Sequence, residues 1–135
     1  MVISVIIYTI GYTKKTLRDF IEQLKHNHVK KVIDVRLNNT SQLAGFSKKE
    51  DLKYILELVG IEYEHNLDLA PTVSILKAYK EKRITWEEYE KLFREILEKR
   101  RPKIYNGKEN ANICFLCTED KATNCHRRLV AEYYY

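Results

Sequence analysis

The chain has 135 residues, of which 44% are hydrophobic and 32% charged, and these values are typical of one globular domain rather than of a disordered chain. Its formal net charge of +5 favours anionic partners, either a small molecule such as a nucleotide or phosphate compound, or nucleic acid. A lysine-rich solvated surface explains the same charge equally well. Three cysteines, an odd number, exclude a complete disulfide framework and indicate free thiols, catalysis or metal binding.

The sequence gives no sign of a membrane protein. No apolar run approaches the roughly 18 residues that a spanning helix needs. The apolar start at residues 1–7 lacks a basic leader and a small-residue cleavage site, so a buried first strand explains it better than a signal peptide. We therefore expect a cytoplasmic protein with no membrane partner.

The first third of the chain predicts a strand, a helix and a second strand. Residues 2–9 are a β-branched run, which is typical of a strand buried on both faces. Apolar residues then recur at helical spacing and predict an amphipathic helix over about 14–27. Residues 29–36 predict the second strand, and such a unit requires a parallel pair with a right-handed crossover.

The rest of the chain continues the alternation. A polar loop over 37–46 is followed by a helix that starts at a capping box of Ser47 and Glu50 and ends at Gly60. A second capping box is formed by Thr85 and Glu88. The remaining predicted elements are a strand over 61–65, a helix near 72–82, a helix from Thr85 to about Arg100, a basic loop over 101–111, a strand over 113–117 and a last helix from Cys125. The prediction is a single α/β domain, residues 1–135, with a mostly parallel open sheet of about four or five strands and helices on both faces.

Polar residues follow the predicted strands at the points where they end. Ligands of open parallel sheets bind at the carboxyl ends of the strands, so we expect these residues to form one site. They are Tyr12 after the first strand, Asp34 and Arg36 at the end of the second, His65 at the end of the third, and Cys117 and Glu119 at the end of the fourth.

Asp34 lies inside an apolar strand, where an ionised carboxylate is costly unless it is paired. Arg36, two residues later, points to the same face and is its nearest local partner. One interpretation is an ion pair that only orders the loop at 37–46, and the other is a pair that positions an anionic ligand.

The segment from Cys117 to Arg127 carries the groups of a thiol enzyme. Cys125 opens a helix beside cationic residues, and both features stabilise a thiolate, so we expect its pKa to lie well below about 8.5. Glu119 would orient His126 or accept a proton, and Arg127 would hold an anion. The alternative is that Cys125 only occupies a helix cap and that the arginines are solvated.

The sequence favours two other possible roles of the cysteines less than it favours a thiol enzyme. Cys114 and Cys117 spell C-x-x-C but lie in a predicted strand, where residues three apart point to opposite faces, so we expect Cys114 in the core. A metal site from Cys117, Cys125 and His126 with His65 or Glu119 is a minor alternative. We assign no metal ligand, and the cofactor stays open.

Several ordered motifs together resemble the family catalogued as domain of unknown function 488, over nearly the whole chain. They are Thr9-Ile10-Gly11-Tyr12, Val32-Ile33-Asp34-Val35-Arg36, Ser41, Phe46-Ser47, Gly60-Ile61-Glu62-Tyr63 with His65, Trp86-Glu87-Glu88-Tyr89, and Leu116-Cys117-Thr118-Glu119 followed by Cys125-His126-Arg127. The chain differs from the commonest family pattern at 37–40 and 69–72, which indicates a divergent branch. The resemblance implies an α/β fold, adds Ser41 to the candidate ligand-contacting residues and supplies no reaction.

These observations favour a small enzyme over two alternatives. Its catalytic groups would be Cys117, Glu119, Cys125 and His126, and its ligand-contacting groups Tyr12, Asp34, Arg36, Ser41, His65 and Arg127. The first alternative is a non-catalytic nucleic-acid-binding module in which some of the ten tyrosines stack on bases. The second is a purely structural role for the ion pairs.

Overall fold

The computed structural model describes residues 7–12, 15–37, 48–103, 112–117 and 125–134, and within them it forms a four-stranded, all-parallel sheet. The strands are β1 (Ile7–Gly11), β2 (Val29–Asp34), β3 (Glu62–His65) and β4 (Asn112–Cys117), in the order β1-β4-β2-β3. The helices are α1 (Leu17–His26), α2 (Lys49–Leu58), α3 (Val73–Lys80), α4 (Trp86–Arg100) and α5 (His126–Tyr134), with a short 3₁₀ turn at Leu67–Leu69. The predicted α/β class is confirmed.

The helices cover both faces of the sheet. α1 and α2 pack on one face through Phe20, Leu24, Leu52 and Leu56. The other face is covered by α3, α4 and α5, whose buried residues include Phe93, Leu97 and Leu129. This division follows from right-handed crossovers, because the connections from β1 to β2 and from β2 to β3 run in one direction across the sheet and the connection back to β4 runs in the other.

The strand order makes the carboxyl end of β4 a topological switch point. β4 lies between β1 and β2, whose connections leave toward the α1–α2 face. The chain after β4 leads instead to α5 on the opposite face. Ligands of open α/β sheets bind in crevices of this kind.

The ends of the helices confirm two of the three capping features predicted from the sequence. Thr85 and Glu88 form the predicted capping box at the start of α4, and Gly60 lies past the end of α2 with a φ of +75°, a conformation that favours glycine. The Ser47 capping box is not the start of α2, because that helix has Lys48 at its N-cap without a side-chain cap bond, and Ser47 itself lies outside the described residues. Residues 1–6 of the predicted first strand and most of the loop at 101–111 also lie outside them.

β2 ends two residues earlier than predicted, at Asp34. The reason is local: the Asp34 carboxylate accepts the backbone N–H of Arg36 at 3.1 Å, so that amide is taken out of the strand ladder. The helices predicted over 14–27 and 72–82 are likewise shorter, at Leu17–His26 and Val73–Lys80. No helix in the described part of the chain is long and apolar enough to cross a membrane.

Candidate functional site

Cys117, Cys125 and His126 form a compact cluster at the carboxyl end of β4, which we call the thiol–imidazole cluster. The two sulfur atoms and a ring nitrogen of His126 all lie within 4.8 Å of one another. Cys117 Sγ is 3.7 Å from Nδ1 and 3.9 Å from Nε2 of His126. All three side chains are at most 7% exposed. The end of β4 and the start of α5 bring Cys117 into contact with residues that follow it by eight and nine positions in the sequence.

The backbone after β2 fixes the orientation of the His126 ring. Nε2 lies 2.6 Å from the carbonyl oxygen of Val35, which only accepts, so Nε2 carries the proton and donates. The neutral ring then has its lone pair on Nδ1, the nitrogen nearer to Cys117 Sγ. The edge of the ring also packs at 87° to the face of Phe93, with centroids 5.6 Å apart.

The prediction that Cys125 has a depressed pKa is wrong. A hydrogen bond to Cys117 and burial together raise the pKa of the Cys125 thiol to about 12, and the contribution of His126 in the opposite direction is smaller. The position before α5 does expose Cys125 to the helix N-terminus, but the side chain is only 3% exposed, and burial outweighs the helix dipole. Cys125 is therefore a neutral thiol that donates toward Cys117.

Asp34 and Arg36 form a buried ion pair. We call this pair and the Tyr63 side chain the carboxylate–guanidinium cluster. Arg36 Nε donates to Asp34 Oδ1 at 2.8 Å, and Nη2 donates to Oδ2 at 2.6 Å. The Tyr63 hydroxyl donates to Oδ2 at 2.6 Å, and the guanidinium lies 5.2 Å from the ring centroid of Tyr12. The carboxylate thus accepts three side-chain hydrogen bonds in addition to the Arg36 amide.

These hydrogen bonds determine whether Asp34 and Arg36 are charged. Burial opposes the charge of Asp34, but the hydrogen bonds and charge of Arg36, with the Tyr63 hydroxyl, outweigh it and hold the pKa of Asp34 below its usual value. The pKa of Arg36 is raised, because the bonds and charge of Asp34 outweigh the burial that would lower it. Both side chains are charged at neutral pH.

The two clusters lie on opposite faces of the sheet. Cys117 belongs to the core under α3–α5, whereas Asp34 follows the alternation of Val32 and faces the core under α1 and α2, where Tyr12 and Tyr63 pack. β2 and β4 pair Asp34 with Leu116, so Cys117 is one position further along and points to the other face. The described candidates therefore form two neighbouring groups joined by residues 34–36.

His65 and Arg127 flank these groups. His65 Nε2 lies 2.7 Å from the carbonyl oxygen of Arg36, and the residue borders an open cleft of about 590 Å³ at the end of β3 with Lys49 and Lys103 among its other lining residues. Arg127 follows His126 in α5, is 2% exposed, and its charge acts on Cys114 in the direction that lowers the pKa of that thiol. Burial is the larger effect, and the pKa of Cys114 is raised to about 12.

Cys114 lies in the core on the α1–α2 side of the sheet, with 1% of its surface exposed. Its neighbour in the motif, Cys117, faces the opposite core. Both expectations for the C-x-x-C motif are therefore confirmed. All three cysteines are free thiols.

Three participants were missed by sequence reasoning. Tyr63 was assigned only to a strand, although its parity places it on the face of Asp34 once β3 is paired with β2. Tyr89 was assigned to the apolar stripe of a helix, yet burial and its proximity to the thiol groups of Cys117 and Cys125 raise the pKa of its hydroxyl. The Val35 carbonyl has no signal in the sequence, because every residue supplies one. Ser41 and Glu119 lie outside the described residues.

Comparison with known proteins gives one family. Neither the curated proteins nor the solved structures contain a significant match to this chain. The family model described as Domain of unknown function DUF488 matches residues 16–134, a range that includes α1 to α5 and both clusters. The chain therefore belongs to the DUF488 family.

Proposed function

We propose that this protein is an enzyme whose reactive centre is the thiol–imidazole cluster and whose substrate carries an anionic group of the nucleotide or phosphate type. The observation that carries the proposal is the position of His126 between the Val35 carbonyl and Cys117 Sγ. An imidazole that a backbone carbonyl orients, and whose ring contacts a thiol sulfur at 3.7 Å from Nδ1 and 3.9 Å from Nε2, brings together the components of a nucleophile and its base.

The location of the centre supports a ligand-binding role. Cys117 ends β4 at the switch point of the sheet, where α/β proteins bind their ligands. Arg36 and Arg127 stand near this edge with buried positive charge, and the net charge of the chain is +5. Asp34 contributes by fixing Arg36, and Tyr12 by its contact with the Arg36 guanidinium. His65, Ser41 and Glu119 remain predicted contacts of the ligand or of the catalytic groups.

Two chemistries are open to such a centre. In the first, His126 Nδ1 takes the proton of the Cys117 thiol, the sulfur forms a bond to an electrophilic atom of the substrate, and the leaving group departs with that proton. In the second, Cys117, Cys125 and His126 would hold a metal ion, which would supply a Lewis acid to the substrate. The first chemistry uses Cys117 and His126, and the second adds Cys125 as a ligand.

The centre is tested by the alkylation rate of each cysteine in reduced, metal-free protein, mapped by peptide mass. Iodoacetamide should modify Cys117 faster than Cys114 or Cys125, because Cys117 Sγ contacts the His126 ring at 3.7 Å, whereas burial raises the pKa of Cys114, and burial with a hydrogen bond to Cys117 raises that of Cys125. His126→Gln should remove this advantage. His26→Gln is the matched control, since that histidine is exposed at the end of α1 and does not belong to the cluster. Equal rates at Cys114 and Cys117 would contradict the proposed centre.

The anionic substrate is tested by protection in the same assay. AMP or inorganic phosphate should slow the alkylation of Cys117, and Arg36→Gln should weaken that protection. Protection by a mixed-sequence single-stranded oligonucleotide alone, with an affinity that falls steeply as salt rises, would replace the enzyme proposal with nucleic-acid binding. Among the described tyrosines only Tyr54 is largely exposed, at 61%, so base stacking by several tyrosines has little support.

A further inference from the structure

The donor atoms of the thiol–imidazole cluster lie close enough together for one metal ion to bind all three after small side-chain rotations. Zinc bonds of about 2.3 Å to sulfur and about 2.0 Å to nitrogen separate a sulfur from a nitrogen ligand by about 3.5 Å, and two sulfurs by about 3.8 Å. Cys117 Sγ lies 3.7 Å from His126 Nδ1, and all three donor atoms lie within 4.8 Å of one another. We propose that Cys117 Sγ, Cys125 Sγ and His126 Nδ1 bind one Zn²⁺ ion. This inference rests on the reactive centre proposed above and names its cofactor.

The bond from His126 to Val35 is an independent observation that favours a metal. Histidines that bind metals donate their second ring N–H to a carbonyl or carboxylate, which fixes the ring and raises the basicity of the ligating nitrogen. His126 makes such a bond through Nε2 at 2.6 Å, and Phe93 packs against the ring. The nitrogen that remains for a metal is Nδ1, which lies 3.7 Å from Cys117 Sγ.

The donor set selects the metal. Two thiolates and one imidazole suit Zn²⁺ and not the hard cations Mg²⁺ and Ca²⁺, which prefer oxygen. Two thiolate charges and one divalent ion sum to zero, so the loaded centre carries no net charge into a region that also contains Phe93 and Leu129. Without a metal, two thiolates at this buried place would bring an uncompensated double charge.

The described residues supply three ligands, Cys117, Cys125 and His126, to an ion that takes four. Catalytic zinc sites use three protein ligands and keep the fourth for water or substrate, whereas structural sites use four. A water or an anionic ligand at that position of the Cys117–Cys125–His126 site would lie at the switch point of the sheet. Zinc would there supply a Lewis acid for a carbonyl or phosphoryl oxygen.

The test is titration of the full, reduced, metal-stripped protein with Co²⁺ and then Zn²⁺. One equivalent of Co²⁺ should give the intense visible bands of tetrahedral cobalt and a thiolate charge-transfer band in the near ultraviolet, and Zn²⁺ should displace it. Cys117→Ser and Cys125→Ser should each weaken Zn²⁺ binding by more than about 100-fold, because loss of an outer-shell partner alone costs about 10–100-fold. Cys114→Ala and His26→Gln are the matched controls, because Cys114 faces the other core and His26 is exposed at the end of α1, and both variants should bind Zn²⁺ as the wild type does.

A second measurement needs no variant. Zn²⁺ should protect Cys117 and Cys125 of the wild type from iodoacetamide and leave the rate at Cys114 unchanged. A pale octahedral cobalt spectrum, or equal protection of all three cysteines, would overturn the zinc site. If zinc fails to bind while Cys117 still reacts fastest and AMP still protects it, the proposed enzyme stands and only the metal is wrong. If zinc binds as expected and no anion protects Cys117, the metal site stands and the proposed substrate class is wrong.

Discussion

The two clusters at the carboxyl edge of the sheet are built from similarly buried polar side chains, yet they differ in how closely their polar atoms approach one another. In the carboxylate–guanidinium cluster, Asp34 receives bonds from the Arg36 side chain, the Arg36 amide and the Tyr63 hydroxyl. In the thiol–imidazole cluster, the closest approach between Cys117 Sγ and His126 is 3.7 Å, a loose contact for a hydrogen bond. The polar atoms of the first cluster are joined by short hydrogen bonds, and those of the second meet only at longer distances.

This difference in contacts predicts different roles for the two clusters, one in stability and the other in reactivity. A buried charge that is fully bonded holds its neighbours in place, and its loss destabilises the fold. A buried pair of thiols next to an oriented imidazole adds little to stability by itself, because thiols are weak donors and acceptors. We therefore expect substitutions in the first cluster to change unfolding and those in the second to change reactivity and metal binding.

The largest effect is expected for Asp34→Ala. The substitution leaves the charge of Arg36 buried without its carboxylate, which should lower the free energy of unfolding by about 3–5 kcal/mol. Urea unfolding followed by circular dichroism measures it. Glu90→Gln is the control, because Glu90 pairs with arginines in a more exposed network that is worth at most about 1 kcal/mol. A loss below about 1 kcal/mol for Asp34→Ala would mean that the pair is not structural.

The next effect is the stabilisation of the wild type by zinc. A ligand that binds only the folded state at about 100 times its Kd adds about 2.7 kcal/mol to the free energy of unfolding. Urea midpoints with and without Zn²⁺ should show this gain in the wild type and not in Cys117→Ser. An equal gain in both proteins would place the metal outside the thiol–imidazole cluster.

Much of the fold could be predicted, because its signals are local. The apolar runs gave three of the four described strands to within two residues at both ends, and Thr85 with Glu88 gave the start of α4. The Asp34–Arg36 pair was also readable, since a carboxylate in an apolar strand needs a partner and residue i+2 shares its face. Each of these inferences uses positions close together in the chain.

The arrangement of the site was not readable, because it depends on register and burial. Whether Cys117 and Asp34 share a face depends on which residues of β2 and β4 are paired, and the sequence contains no measure of that register. The depressed pKa expected for Cys125 assumed an exposed helix start, whereas α5 packs against α4 and buries it. Tyr63 became a partner of Asp34 only through the pairing of β3 with β2.

Tyr63→Phe should have a smaller effect that depends on pH. It removes one bond to the Asp34 carboxylate and should cost about 1.5 kcal/mol at neutral pH, as for a hydrogen bond to a charged group. The folded-state pKa of Asp34 is depressed, so its contribution is present above the unfolded pKa of about 3.9 and is lost as the pH falls through the folded value. Without the Tyr63 bond the folded pKa is less depressed, and the loss is complete at a higher pH.

The measurement for Tyr63→Phe is urea unfolding from pH 6 downward, beside the wild type. The difference between the two proteins should shrink as Asp34 becomes protonated in both. Tyr54→Phe, at an exposed position, should match the wild type at every pH. A difference that does not change with pH would assign the role of Tyr63 to packing of its ring.

The smallest effect is expected for Cys117→Ser in metal-free protein, and Cys114→Ser is its matched comparison. Both cysteines lie in β4 and are buried, at 6% and 1% exposure, but they face different surroundings. A serine hydroxyl at 117 meets His126 and the Cys125 thiol as partners, so its cost should stay within about 1 kcal/mol. At 114 the sulfur has only a 3.9 Å contact with the Phe115 carbonyl, so a hydroxyl there should cost about 1–3 kcal/mol. Urea midpoints of the two variants measure the difference, and a larger loss at 117 than at 114 would show that the thiol–imidazole cluster stabilises the fold even without metal.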